Sequence, residues 1–475
     1  MNIGYHRLAP ELFGAMAAGG GGSAAVEILK RAQHSKHTLL LLGVVTSAET
    51  SGHKQRALAR RGYDLLASVQ GCDPSAVTSV IRHPSVGAWA HRTMIALCGG
   101  PGMPGATPGG LAAVAAAATI TAGVPAEIEV PVNDGIVMLP SVGAAGPIDA
   151  ETATVRNSDG RTEVAAAGQR VIIPGNRRDR AVGWHPVRTI EVGPFELLID
   201  DLDPFRMPAA VGLATRVDLH RWSPVFHRAW TLLEQHHPAV AEEVAGLIRV
   251  IVPLITPPRG LVSSSSPETF GAIALSEPPD AVTLACTLTH EVQHIKLSAL
   301  LDLVRLTRPD DGRRFYAPWR EDPRPISGLL QGAYAYLGVS GFWRRQRELD
   351  HSLDAYVEFA RWREAAALVT DVLQSSGQLT AAGEAFVQDM GSTLDTWQIE
   401  HVPEVARRRA SEDGERHRTR WQAQYGPIAV ALGAGRKLNL WRVEVPVEAA
   451  TFSSGHGVGM IIAEGLSVAW QRVGG

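Results

Sequence analysis

Two kinds of hydrophobic periodicity alternate along the chain and divide it into three regions. Residues 1–125 carry Ala- and Leu-rich stretches, separated by Gly and Pro, with the spacing of helices. Residues 126–207 carry short β-branched or alternating runs between turn residues, which indicates strands. From 208 to 475 the helical period returns, apart from the apolar run FGAIALS at 270–276. The pattern predicts an α+β protein with mainly helical N- and C-terminal regions and a small β-rich middle region.

A long helical segment after Asp280 contains His290 and His294 within the sequence HEVQH. Asp280 is a suitable N-cap, and the apolar residues on both sides of the motif would bury the helix. Residues four apart lie on one face of a helix, and neutral imidazole binds zinc, iron and cobalt. The segment therefore predicts a catalytic transition-metal site with Glu291 placed to move a proton or orient water. The alternative is a pair of histidines that pack in a core.

Two histidines do not complete a ligand set. A catalytic zinc ion has three protein ligands, and a non-haem iron commonly has two histidines and a carboxylate. The longer zinc-protease motif has a third His six residues after the second, but Leu300 stands there. Gln331 and Glu358, on later helices, are the competing candidates for the third metal ligand, and the sequence does not choose between them.

Composition restricts the partners and the compartment. The 45 basic and 48 acidic residues give a net charge of −3, with no overall attraction to nucleic acid or to an anionic membrane. The most apolar stretch is too short to cross a bilayer comfortably, and the N-terminus lacks the pattern of a secretion signal. Three widely spaced cysteines form no disulfide framework. We expect a cytoplasmic protein without nucleic-acid or membrane partners, and the oligomeric state is left open.

The segment FYAPWREDPRPISG at 315–328 offers a second kind of binding group. Three prolines stiffen it, and Arg320 and Arg324 provide guanidinium forks that recognise carboxylates. A dicarboxylate cosubstrate fits such a pair. The alternative is a surface loop in which the arginines pair with Glu321, Asp322 or other acids.

Two segments together carry a family resemblance. HEVQHIKLSALLD, followed by FYAPWREDPRPISGLLQGAYAYLGVSGFW, resembles the HExxH-containing peptide-modification family found in bacterial ribosomal-peptide gene clusters. The segments FGAMAAGGGGSAAVEILKRAQHSKHTLLL and FGAIALSEPPD are also similar to that family. The resemblance thus covers most of the chain.

Members of that family are described as iron(II)- and 2-oxoglutarate-dependent peptide β-hydroxylases, which are dioxygenases. The resemblance implies that His290 and His294 bind Fe(II), and that Arg320 or Arg324 binds the distal carboxylate of 2-oxoglutarate. The substrate would be a precursor peptide in natural-product biosynthesis. Family members often carry His where Gln331 stands. Glu291 would then orient the ligands or a water molecule rather than act as a general base.

Three functions therefore compete. The first is β-hydroxylation of a side chain in a ribosomally synthesised precursor peptide. The second is a zinc metallopeptidase with Zn(II) at the site and Glu291 as general base, and the third is a non-enzymatic peptide-binding protein with a structural metal. The arginine pair and the resemblance favour the first. A peptide could add to FGAIALS as an edge strand, or FGAIALS could be an ordinary core strand.

Overall fold

Helices form both ends of the described chain, and every strand lies between residues 126 and 275. The computed structural model describes residues 6–158, 160–207, 212–214, 216–257 and 261–426. This part of the chain holds thirteen helices and three small sheets. The predicted α+β class is confirmed.

The elements are numbered in chain order. The helices are α1 (Pro10–Ala17), α2 (Gly22–Thr50), α3 (Arg56–Cys72), α4 (Pro74–Ile81), α5 (Pro84–Leu97), α6 (Gly110–Ala122), α7 (Leu219–His236), α8 (Pro238–Leu247), α9 (Ala281–Leu301), α10 (Ile326–Asp350), α11 (Leu353–Ser375), α12 (Ala381–Gln398) and α13 (Glu404–Tyr425). The strands are β1 (Ala126–Pro131), β2 (Val137–Leu139), β3 (Gly143–Ala145), β4 (Thr152–Ser158), β5 (Arg161–Ala166), β6 (Gln169–Ile173), β7 (Trp184–Pro186), β8 (Arg188–Val192), β9 (Phe195–Ile199), β10 (Val250–Pro253), β11 (Ser263–Ser265) and β12 (Ala272–Leu275).

The N-terminal helices and the first two sheets share one hydrophobic core. Its central element is α6, whose residues from Leu111 to Ile120 are all buried. A helix that is apolar on every side must be surrounded by other elements. The four-stranded sheet β1-β4-β5-β6 and the three-stranded sheet β2-β3-β7 are antiparallel and contribute residues to the same core.

A five-stranded sheet joins the middle of the chain to its C-terminal part. Its strand order is β11-β12-β10-β9-β8, with β9, β10 and β12 parallel and the two outer strands antiparallel. Strands β8 and β9 precede residue 208, whereas the other three follow it, so the two regions share this sheet. The run FGAIALS forms β12, which is buried between β10 and β11. The core-strand alternative is thus confirmed and the edge-strand alternative is wrong, because β11 is the edge.

Helix α9, which carries HEVQH, packs against α2, α7, α8, α10 and β11. Its N-cap is Asp280, as predicted, with a side-chain oxygen that accepts the amide hydrogen of Thr283 at 2.8 Å. Leu288 and Val292 pack in the core beneath the five-stranded sheet, whereas Leu297 packs in a second core with α10, α11 and α12. The predicted burial of this helix is confirmed.

Lys296 fixes α9 to two other elements. Its ammonium group is 1% exposed and donates to Glu243 Oε1 on α8 at 2.7 Å. It also donates to the carbonyl oxygens of Gly20 at 2.7 Å and Gly19 at 3.0 Å, between α1 and α2. Burial lowers the pKa of Lys296 and raises the pKa of Glu243, while the attraction between the two charges opposes both shifts. All three ammonium donors are therefore satisfied inside the protein.

Within the described residues, no single helix has both the length and the apolar character needed to cross a membrane. Helices α1 and α2, bent by 106° at the break between them, meet that test of length and composition only as a pair.

We expect Lys296→Met to lower the free energy of unfolding by about 3–5 kcal/mol, because Glu243 would stay buried without its partner. Urea denaturation measures the loss. The control is Lys30→Met, which removes a more exposed ion pair with Glu27 and should cost no more than about 1 kcal/mol. Equal losses in the two variants would contradict the anchoring role of Lys296.

Candidate metal centre

His290 and His294 lie one turn apart on α9, with their Nε2 atoms 3.1 Å apart. The ring centroids are 4.7 Å apart and the ring planes meet at 78°. Ligand nitrogens about 2.0–2.1 Å from one ion lie about 2.9–3.4 Å apart at angles of roughly 90–110°. The observed separation fits two ligands of one ion, although a hydrogen bond between the two rings has the same length. Both residues are neither fully buried nor fully exposed.

The protonation state of His290 suits a metal ligand. Burial lowers the pKa of His290 to about 4, and the charge of His294 acts in the same direction. Neutral imidazole is the form that binds a metal ion. At neutral pH the His290 ring therefore has its ligand form.

Gln331 reaches His294 from α10. Its Oε1 lies 3.1 Å from His294 Nδ1, and its amide nitrogen donates to the Ser298 hydroxyl at 3.4 Å. A hydrogen bond from Nδ1 to the amide oxygen leaves the Nε2 lone pair free for a metal ion. The structure brings Gln331 to the histidine pair, but on the Nδ1 side of His294 rather than between the two Nε2 atoms.

Glu358 lies on α11 and is engaged elsewhere. Its Oε2 accepts a hydrogen bond from Trp362 Nε1 at 2.6 Å, and burial raises the pKa of this carboxyl. Burial, together with the Glu358 charge, raises the pKa of the Cys286 thiol to about 12, and Cys286 lies one turn before His290. Across the described ranges, no His, Cys, Asp or Glu forms a three-ligand group with His290 and His294 within 4.8 Å. The structure does not bring Glu358 into the ligand set.

Glu291 faces the edge of the five-stranded sheet. The side chain is 2% exposed, and its Oε1 accepts a hydrogen bond from the Ser263 hydroxyl on β11 at 2.6 Å. Its Oε2 is buried and has no hydrogen-bond partner among the described residues. A buried carboxylate oxygen without a donor is costly unless a water molecule or an ion satisfies it. The contact with Ser263 was missed at the sequence level, because a run of four serines carries no periodic signal.

Aromatic side chains form a wall beside His290. Tyr336 on α10 meets the His290 ring edge-on, with centroids 5.2 Å apart. Trp319 and Trp362 pack against Tyr336, at centroid distances of 4.6 and 4.3 Å. A side chain at Gly332 would overlap the Trp319 indole, so that glycine lets Trp319 lie flat on α10. These aromatics were not predicted as site residues. The only signal in the sequence was the position of Trp319 beside the arginine pair.

The two arginines that were predicted to bind a cosubstrate carboxylate both pair with one acidic side chain of their own loop. Arg320 Nε donates to Asp322 Oδ1 at 2.8 Å, and Arg324 Nη1 donates to Asp322 Oδ2 at 2.9 Å. Burial acts to raise the pKa of Asp322, but these two hydrogen bonds hold it below its usual range. The arginines thus pair with Asp322, as the surface-loop alternative expects.

The loop is linked to the histidine pair through Trp319. This residue precedes Arg320 and stacks on Tyr336, which contacts His290. Backbone hydrogen bonds in both directions between Phe315 and Arg324, at 2.8 and 2.9 Å, close the base of the loop. The arginine loop is therefore packed on the same aromatic cluster that contacts His290.

No protein-family model matches this chain, and no curated protein matches it. The family resemblance carried by HEVQH and by the arginine loop stays a prediction.

Proposed function

We propose that the protein is an iron(II)- and 2-oxoglutarate-dependent dioxygenase that hydroxylates the β-carbon of a side chain in a ribosomally synthesised precursor peptide. The observation that carries the proposal is the 3.1 Å separation of the Nε2 atoms of His290 and His294 on one helix face. A further observation supports it: the arginine pair meets at a single carboxylate.

The chain's own residues have separate tasks at this site. His290 and His294 hold the ion, and Gln331 fixes the orientation of the His294 ring through Nδ1. When bound, iron with 2-oxoglutarate and dioxygen supplies the oxidation, in which the peptide gains one oxygen atom and 2-oxoglutarate becomes succinate and carbon dioxide. Tyr336, packed against His290, covers one side of the pair and limits the access of water.

Arg320 and Arg324 hold the distal carboxylate of 2-oxoglutarate. Two guanidinium groups carry two positive charges, and Asp322 offsets only one of them. The distal carboxylate of 2-oxoglutarate replaces Asp322 between the two guanidinium groups. The packing of Trp319 on α10 holds this loop in place.

The peptide substrate binds along β11. Strand β11 pairs with β12 on one side, and in the part of the chain that the structure describes it has no strand on the other. Such an edge offers unpaired backbone groups to an extended peptide. Ser263 lies on this strand and contacts Glu291, the neighbour of His290, so a peptide added to β11 passes the metal site. The proposal includes a cytoplasmic location, since Cys72, Cys98 and Cys286 are free thiols.

A zinc metallopeptidase is the second candidate, and one observation favours it. Glu291 has a carboxylate oxygen without a donor, next to a metal-ligand pair and to a sheet edge. In this alternative Glu291 takes a proton from a water molecule at the zinc ion, and the peptide on β11 is cleaved.

The first experiment uses protein loaded with Fe(II) under anaerobic conditions. Addition of 2-oxoglutarate alone should produce a visible absorption band from its complex with iron. A precursor peptide and air should then give peptide heavier by one oxygen atom and an equal amount of succinate. His290→Ala should abolish both signals, because the ion loses a ligand. The control His227→Ala, at an exposed position on α7, should abolish neither.

The same assay separates the alternatives. Cleavage that requires zinc and ignores 2-oxoglutarate would exclude the dioxygenase and support the peptidase. A peptide that binds with unchanged mass under both metals would support a binding protein instead.

We expect Arg320→Gln and Arg324→Gln to raise the KM for 2-oxoglutarate by about 10- to 100-fold, the equivalent of one lost charge-assisted hydrogen bond. The kcat at saturating cosubstrate should change less, because the metal ligands are untouched. The matched control is Arg314→Gln, an arginine just before this loop that pairs with Asp310. Steady-state kinetics with varied 2-oxoglutarate measures the effect. If the KM for 2-oxoglutarate were the same in Arg320→Gln, Arg324→Gln and Arg314→Gln, the arginine pair would not bind the cosubstrate.

Glu291→Gln tests whether Glu291 positions groups or transfers a proton. As a positioning residue its replacement should lower activity by about 10- to 100-fold, with partial recovery at higher iron concentration. Loss of a general base would cost about 100- to 10,000-fold and would not recover with added metal. The paired variant Ser263→Ala removes only the donor to Glu291 and should have a smaller effect in the same direction. Titration of iron against rate in each variant distinguishes the two roles.

A further inference from the structure

A second group of metal-binding side chains lies in the protein interior, on elements other than α9. His83, Asp200 and Asp203 are 0%, 0% and 2% exposed, and each offers a ligand atom within 4.8 Å of the other two. His83 stands between α4 and α5, whereas Asp200 and Asp203 follow the carboxyl end of β9. The group joins the N-terminal helices to the five-stranded sheet.

Two polar atoms of this group have no hydrogen-bond partner. The His83 Nδ1 lies 2.7 Å from the Ser85 hydroxyl, which leaves Nε2 as the buried atom without a partner. Asp200 Oδ1 accepts the amide hydrogens of Leu202 at 3.1 Å and Asp203 at 2.9 Å, whereas its Oδ2 is buried and unpartnered. Buried polar atoms are nearly always satisfied in native proteins. Two exceptions in one cluster indicate that a further group belongs there.

The charges around the group indicate a cation. Asp200 and Asp203 place two carboxyl groups in the interior beside the His83 ring. Arg206 is close, but its Nη1 donates to the backbone carbonyl of Asp203 rather than to a carboxylate. A cation bound between the two carboxylates would offset the cost of burying them.

We propose that His83 Nε2 and the carboxylates of Asp200 and Asp203 bind a divalent transition-metal ion with a structural role. One imidazole and two carboxylates suit zinc or manganese, and the ion would balance both negative charges. The hydrogen bond at Nδ1 holds His83 with Nε2 free to bind it. Because all three ligands are buried, the ion stabilises the junction between α4, α5 and β9 rather than acting on a substrate.

The test uses a variant that lacks the proposed catalytic metal site. A negative result therefore bears only on the His83 group and not on the proposed catalytic function. The full-length double variant His290→Ala/His294→Ala is stripped with a strong chelator and dialysed against Zn(II) or Mn(II). Elemental mass spectrometry should find about one bound ion per chain. The melting temperature of the metal-loaded protein should be several degrees above that of the stripped protein.

Two aspartates on the same turn provide matched variants in this background. Asp200→Asn keeps the side-chain shape but removes a ligand charge, so it should abolish both the bound ion and the metal-dependent rise in melting temperature. Asp201→Asn removes the buried partner of Arg188 and should be destabilising, yet it should retain the ion. Loss of the ion from both variants to the same extent would overturn the proposal, because general destabilisation would then explain it.

The alternative is that these side chains share a proton and bind no metal ion. The double variant would then take up no stoichiometric metal, and its melting temperature would not respond to zinc or manganese. If Asp200→Asn does not fold, X-ray absorption spectroscopy of the metal-loaded double variant identifies the ligands of the bound ion instead. A shell of one imidazole with carboxylate oxygens supports the assignment, whereas several imidazoles, or sulfur, or water alone overturn it.

Discussion

The orientation of α9 depends on a buried cluster of hydrogen bonds around the Gly19 carbonyl. Lys296 and Gln293 both donate to this oxygen, and Lys296 also binds Glu243 on α8. Gly19 has a φ of 90°, a conformation that favours glycine, so its carbonyl can face the helix. Residues 293 and 296 lie on one side of α9. When that side is fixed, the side with the two histidines must face α10 and the sheet edge.

The site has two walls that differ in chemistry. On one side, the sheet edge supplies Ser263, whose hydroxyl holds Glu291 in a buried position. On the other, α10 supplies Gln331 to His294 and Tyr336 to His290. Because the walls come from different elements, the ligand geometry depends on how α9 packs between them. The first wall is polar and carries the buried carboxyl group, and the second is mainly aromatic.

Local signals in the sequence predicted the α+β class, the N-cap at Asp280 and the facing histidines, because each depends on residues within one or two helical turns. The edge position of β11 was not predictable, since a three-residue Ser strand has no hydrophobic alternation. The contact of Gln331 with His294 was also not predictable, because helix α10 brings Gln331 to Nδ1 of His294 only through tertiary packing. Likewise, His83 and Asp200 are more than a hundred residues apart, and no local pattern connects them.

The two histidine-containing groups differ in the way that catalytic and structural metal sites differ. His290 and His294 are close in sequence and partly exposed, as the proposed catalytic role requires. The His83 group gathers distant parts of the chain and is closed to solvent. A catalytic site needs open coordination positions, whereas a structural site gains stability from ligands that come from separate elements. In the two proposed sites, burial therefore separates the catalytic role from the structural one.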